Sequence, residues 1–176
     1  ALRLFERTRA PGWFSPALLH DPSPELRRHT ARLLEPAQSA FFKSLASDPD
    51  PRVRFEVALR ALDKQVEIDA SVLATLVTGA KGDPWILRTV AVAAKPRGVL
   101  SAVVLAQGSL AAAQALLQAA KAGTGDAKLR PLFAKAAEVA VDDSAPADER
   151  KAALWFLGVD GSTSAAALWK WVDDSD

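Results

Sequence analysis

Asp48-Pro49-Asp50-Pro51-Arg52-Val53-Arg54-Phe55-Glu56-Val57-Ala58-Leu59-Arg60-Ala61-Leu62 is the stretch that decides how this chain folds. Its first half is a turn that starts a helix. An aspartate ahead of a helix accepts hydrogen bonds from backbone N–H groups that have no partner inside the helix, and its charge complements the positive end of the helix dipole. Proline near the first helical position removes an N–H that would be unpaired anyway, and a second proline keeps the turn stiff. Its second half has helical spacing. Val53, Val57, Ala58, Ala61 and Leu62 fall on one face and predict a buried stripe.

The same pattern recurs. Asp21-Pro22-Ser23-Pro24-Glu25-Leu26-Arg27 precedes it by 27 residues, counted from Asp21 to Asp48. A shortened copy, Asp83-Pro84-Trp85-Ile86-Leu87-Arg88, follows, and a looser one starts at Asp143 and ends at Arg150. Self-similarity at this period marks a stack of supersecondary units, each burying its apolar face on the next. In the first two copies an arginine, Arg27 or Arg54, stands six residues after the aspartate, where it can reach a carboxylate of its own or the neighbouring repeat. In the third the spacing from Asp83 to Arg88 is five.

Between the capped helices the spacing predicts others over 36–46, 69–80, 96–107, 109–122, 128–141, 148–157 with Gly158 as its C-cap, and 165–172. No run alternates with period two. The expected fold is all-α, a right-handed solenoid of about five helix pairs in one repeat domain over 1–176. Alanine-rich inner faces let the helices approach closely. With no cysteine, thiolate metal sites, disulfides and cysteine nucleophiles are excluded within the chain. The absence of methionine and the opening at Ala1-Leu2-Arg3 suggest a piece of a larger polypeptide. No apolar stretch is long enough for a membrane span.

The Asp-Pro-x-Pro-x-Val-Arg turn followed by small and apolar residues resembles the HEAT repeat, most closely over 48–62 and then over 21–34. The resemblance implies a ladder of Asp and Arg side chains between adjacent repeats, built from Asp21, Arg27, Asp48 and Arg54, with Asp83 and Arg88 one residue out of step. It also implies a scaffold that binds protein, with no cofactor and no catalysis of its own. More narrowly, residues 50–59 and 83–90 look like the HEAT-like segment of large exported planctomycete-type proteins that join a sugar-dehydrogenase type propeller to a cytochrome c module. That likeness implies an exported or periplasmic location, flanking domains as partners, and any oxidoreductase chemistry in those domains. Without it the expected location is cytoplasmic.

Functional residues are sparse. His20 and His29 are nine apart, too far for a helical metal pair. The carboxylates Glu6, Glu25, Glu35, Glu56 and Glu67 have no partner at a spacing that marks a site, and the adjacent pairs Asp142-Asp143 and Asp173-Asp174 read as caps and tails. The glycines at 123 and 125 lack the lysine and hydroxyl of a phosphate loop.

Two surfaces stand out. Arg3, Arg7, Arg9, Arg27, Arg28, Arg32, Arg52, Arg54 and Arg60 crowd the first third, and a solenoid could align them into a stripe facing phosphates, as in the HEAT-like alkylpurine DNA glycosylases. A net charge of only +1 argues against that nucleic-acid reading. Among five tryptophans, Trp155 reads as core, whereas Trp85, Trp169 and Trp171 are candidates for an interaction surface, because aromatics are enriched at interface hot spots.

Overall fold

The computed structural model describes residues 14–63 and 65–160. Among the described residues there are nine α-helices and no strand: α1 (Pro24–Leu33), α2 (Phe42–Ala46), α3 (Pro51–Arg60), α4 (Ala70–Ala80), α5 (Pro84–Ala94), α6 (Leu100–Leu105), α7 (Leu110–Ala119), α8 (Arg130–Ala140) and α9 (Ala147–Asp160). Short 3-10 turns cover Pro16–His20, Pro36–Phe41 and Ala127–Leu129. Trp13, Trp169, Trp171, Arg3, Arg7, Arg9, Glu6, Asp173, Asp174 and the helix expected over 165–172 lie outside the described residues.

The helices form two layers. In one, α1, α3, α5, α7 and α9 each pack on the next; in the other, α2 packs on α4 and α4 on α6, and α6 meets the turn that leads into α8. Consecutive helices α2 with α3, α4 with α5, α6 with α7, and α8 with α9 close the pairs across the layers, and the Pro16–His20 turn pairs with α1. This is an α-solenoid of HEAT-like pairs. Neighbours share one continuous core, in which Phe42, Leu73, Ile86, Leu116 and Phe156 are sealed from solvent. Small residues on the facing surfaces, among them Ala58, Ala91, Ala113, Ala136 and Ala153, let the layers approach.

Three helices of one layer share a beginning. Pro24, Pro51 and Pro84 are their first residues, and Ser23, Asp50 and Asp83 are their N-caps. Asp21 and Asp48 therefore do not cap the helices. They stand two residues earlier and cap the turn itself, each accepting a hydrogen bond from the backbone N–H two positions on (Ser23, 2.8 Å; Asp50, 2.9 Å).

Several expected boundaries move. The helix expected over 36–46 is a 3-10 turn kinked at Gln38, then the short α2. The helix expected over 96–107 shortens to α6, because α5 runs on to Ala94 and the chain turns through 95–98, with Gly98 at φ 66°. Helix α9 runs through Gly158 rather than ending there. Leu62 is 41% exposed, since α3 ends at Arg60 and its stripe stops at Ala61. Trp155 packs against the core with its ring edge-on to Phe156 at 5.0 Å, and Phe133 meets Phe156 at 5.9 Å in the same manner.

Candidate interaction surface

The turns stack along one edge of the solenoid and hold its first rung. Arg27 lies in the first turn of α1 and donates from Nε to Asp48 Oδ2 (2.6 Å) and from Nη2 to Asp48 Oδ1 (2.9 Å). Its Nη1 folds back to the carbonyl of Asp21 at 2.7 Å. One guanidinium thus ties its own turn to the next one through a two-pronged pair, the geometry for which arginine is suited. Both side chains are buried (Arg27 9% and Asp48 6% exposed), and the hydrogen bonds that Arg27 donates to Asp48 raise the Arg27 pKa above the ordinary arginine value. Arg27 therefore stays charged.

Arg54 repeats half of this. Its Nη1 donates to the carbonyls of Asp48 (2.6 Å) and Pro49 (3.0 Å), as Arg27 does one repeat earlier. Among the described residues, however, no carboxylate pairs with it. Counted back from the first helical proline, the residue matching Asp48 is Lys81, and the residue matching Arg54 is Leu87. Asp83 instead caps α5, accepting from the N–H groups of Trp85 (2.8 Å) and Ile86 (3.3 Å), and Arg88 points outward on the surface. The expectation that Asp83 and Arg88 extend the ladder is thus corrected. The shortened third turn is the equivalent of Asp50-Pro51, not of Asp48-Pro49. Gly79 accommodates the missing rung: a Cβ there would stand 3.2 Å from Cδ and 3.3 Å from Nε of Arg54, so the arginine stem lies down on the helix at that point.

Along the opposite edge two arginines do what no motif announced. Arg60 Nη2 donates to the carbonyl of Leu34, the C-cap residue of α1 (2.9 Å), and Arg97 Nη2 donates to that of Asp63, in the turn that follows α3 (3.0 Å). The Leu34 carbonyl ends a helix, where carbonyls lack intrahelical partners and carry partial negative charge, so a guanidinium binds there. Further along, Glu149 of α9 accepts from the Leu110 N–H at 2.8 Å and from the Ser109 hydroxyl, capping the start of α7 from the neighbouring repeat. Arg60, Arg97 and Glu149 occupy no common place in the sequence repeat, so only the stacking brings them to their partners.

Of the expected arginine stripe, Arg3, Arg7 and Arg9 lie outside the described residues, and four of the described members are engaged elsewhere. Arg27 is buried against Asp48. Arg28 pairs with Glu56 at 3.7 Å, Arg52 with Glu25 and Asp50 at 2.8 Å each, and Arg60 with Asp63 at 3.3 Å. The positive charges of these four arginines face inward or are matched, so they do not line up as a cationic stripe for phosphates.

The Asp50–Arg52 pair sets a pH dependence. The Arg52 guanidinium, hydrogen-bonded at 2.8 Å, holds the Asp50 carboxyl down at about 2, below its ordinary 3.8. A carboxyl depressed in the folded state stabilises fully above its unfolded value and loses that contribution as pH falls through the folded one. Asp50→Asn keeps a cap acceptor and removes the charge. The stability difference between Asp50→Asn and wild type in urea is expected to be largest above about pH 4 and to shrink toward pH 2. A difference constant over that window would show that Arg52 does not hold the carboxylate.

What remains open to solvent is the outer face of α3, α5 and α7. Trp85 is 69% exposed, more than any other large apolar residue described, and Val92 is 55% exposed. The Trp85 backbone is fixed by the Asp83 cap and by the Thr89 hydroxyl, which donates to its carbonyl at 2.7 Å, so the ring projects from a rigid first turn. Between α3 and α5 lies an open groove of about 660 Å³ with Phe55, Leu59 and Trp85 as its apolar walls and Arg28, Arg52, Glu56 and Asp83 as a rim of balanced charge. Between α5 and α7 lies a second groove of about 730 Å³. Its floor is Leu87, Ala91, Ala115 and Ala119, and its charged lining residues are Arg88, Lys95 and Lys121.

The described residues hold no cluster of three or more His, Asp or Glu side chains that could bind a metal ion, and no helix long and apolar enough to cross a membrane. Residues 13–94 match a protein-family model described as HEAT repeats, the part of the chain that contains the three proline-started turns. HEAT repeats generally serve as protein-interaction scaffolds. Neither the curated proteins nor the solved structures gave a match, and no finding supports the narrower likeness to propeller–cytochrome proteins.

Proposed function

We propose that this chain is a non-catalytic scaffold that docks a protein partner on the outer face of α3, α5 and α7. The exposed Trp85, held on a rigid helix start beside the half-buried Phe55 and the exposed Leu59, carries this reading. A rigid aromatic set in an apolar groove with a polar rim is the usual composition of an interface hot spot. The partner surface belongs to a separate protein or to a flanking domain of the same polypeptide; the chemistry of the face is the same for both.

The test compares wild type with Trp85→Ser/Leu59→Ser, and with Val141→Ser, a control at another exposed apolar position. Each is immobilised, partners are recovered from the source organism, and the affinity of the recovered protein is then measured. Circular dichroism should be the same for all three. The double substitution is expected to weaken binding at least about tenfold, equivalent to about 1.4 kcal/mol, while the control is not. Equal binding by wild type and the double variant would overturn the assignment of this face.

A further inference from the structure

The two grooves of the outer face differ in charge. The α3–α5 groove is lined by two cations and two anions, with Arg28 of α1 paired to Glu56 of α3. The α5–α7 groove is lined by three cations and no anion. Among the described residues none of Arg88, Lys95 and Lys121 forms an ion pair, in contrast to Arg27, Arg28, Arg52 and Arg60. All three are exposed.

The floor of this groove is apolar and lined by small residues: Ala91 on α5, Ala115 and Ala119 on α7. Along α5, Arg88, Val92 and Lys95 follow at helical spacing and share one face. The two cations are seven residues apart, from 88 to 95, or about 10 Å along the helix axis. Lys121 stands on the opposite wall.

We propose that the α5–α7 groove receives an amphipathic acidic helix of the protein partner. Its apolar side chains would fill the space above the alanines and touch Leu87 and Val92. Carboxylates two turns apart would meet Arg88 and Lys95, and a third would meet Lys121. A helix in a groove reads as apolar anchors at i, i+3, i+4 and i+7, and two acids at i and i+7 match the cation spacing on α5. A basic segment is repelled by three like charges, and a wholly apolar one leaves them without partners. This assignment rests on the scaffold reading and adds the chemistry of what is scaffolded.

The probe is a fluorescein-labelled synthetic peptide about five turns long, with leucine at the anchor positions and glutamate elsewhere; its counterpart carries lysine for glutamate. Binding is followed by fluorescence anisotropy. The acidic peptide is expected to bind wild type at least about tenfold more tightly than the basic one. The preference should shrink as salt is raised. Arg88→Glu/Lys95→Glu/Lys121→Glu is expected to reverse it, Lys95→Gln/Lys121→Gln to reduce it, and Trp85→Ser to leave it within about twofold. Equal binding of the two peptides to wild type, or an acidic preference that survives both the charge reversal and the neutral pair, would overturn the assignment. In that event a partner that still depends on Trp85 leaves the scaffold reading standing. If partner capture is indifferent to Trp85 while the acidic preference holds, the Trp85 face is the part that fails.

Discussion

Asp48→Ala is expected to destabilise the protein by about 3–5 kcal/mol, the cost of leaving a buried guanidinium without its counter-charge. Arg27 and Asp48 are both buried, and Asp48 accepts three hydrogen bonds, two from Arg27 and one from the Asp50 N–H. Removing the carboxylate therefore strands a charged group and loosens the turn that starts α3. A domain of this kind holds only about 5–15 kcal/mol in total, so urea unfolding should shift markedly. A second variant separates the two effects. If the stranded charge dominates, Arg27→Met in the Asp48→Ala background should recover a large part of the loss, because replacing a buried pair by apolar side chains is often neutral. If the double variant is no better than Asp48→Ala, the turn and not the charge is responsible. A loss under about 0.5 kcal/mol, the scale of an ordinary surface substitution, would show that the rung does not hold the repeats together.

Phe42→Ala should cost about 3–5 kcal/mol, through lost burial and the cavity left behind. Phe42 is fully buried and opens α2, which packs on α3 and α4. The effect should also be local. Each repeat touches mainly its neighbours, so stability is close to a sum of repeat and interface terms. Hydrogen exchange is therefore expected to speed up in α1 to α4, while α8 and α9, which pack chiefly on each other and on α7, keep their protection. Uniform loss of protection from α1 to α9 would mean that the stack unfolds as a single unit.

The legible parts of this protein are those that local chemistry decides. Proline at the first helical position and an aspartate or serine before it mark α1, α3 and α5 because both act within one turn of chain. The stripe Val53, Val57, Ala58, Ala61 is buried because helical spacing places it on one face. Boundaries were less legible where no cap residue marks them, as at α6, which starts after Val99 without a side-chain cap. The ladder was legible as far as Arg27 and Asp48. It failed at Asp83, because a shortened motif can be aligned by its first aspartate or by its proline, and only the helix start shows that the proline is the fixed point.

The amino-acid sequence by itself determined that the chain is a helical repeat, how its helices begin, and that an arginine in each of the first two turns could bridge repeats. Those properties follow from interactions between residues a few positions apart. The tertiary structure alone decided which charges are matched and which are left over. It buries Arg27, pairs Arg28 and Arg52, sends Arg60 and Arg97 to carbonyls of the previous repeat, and leaves Trp85 and the cations at 88, 95 and 121 on one outer face. The physical reason is that pairing and exposure depend on what stands across the stack, and residues that meet there are separated by twenty to forty positions that no local pattern spans.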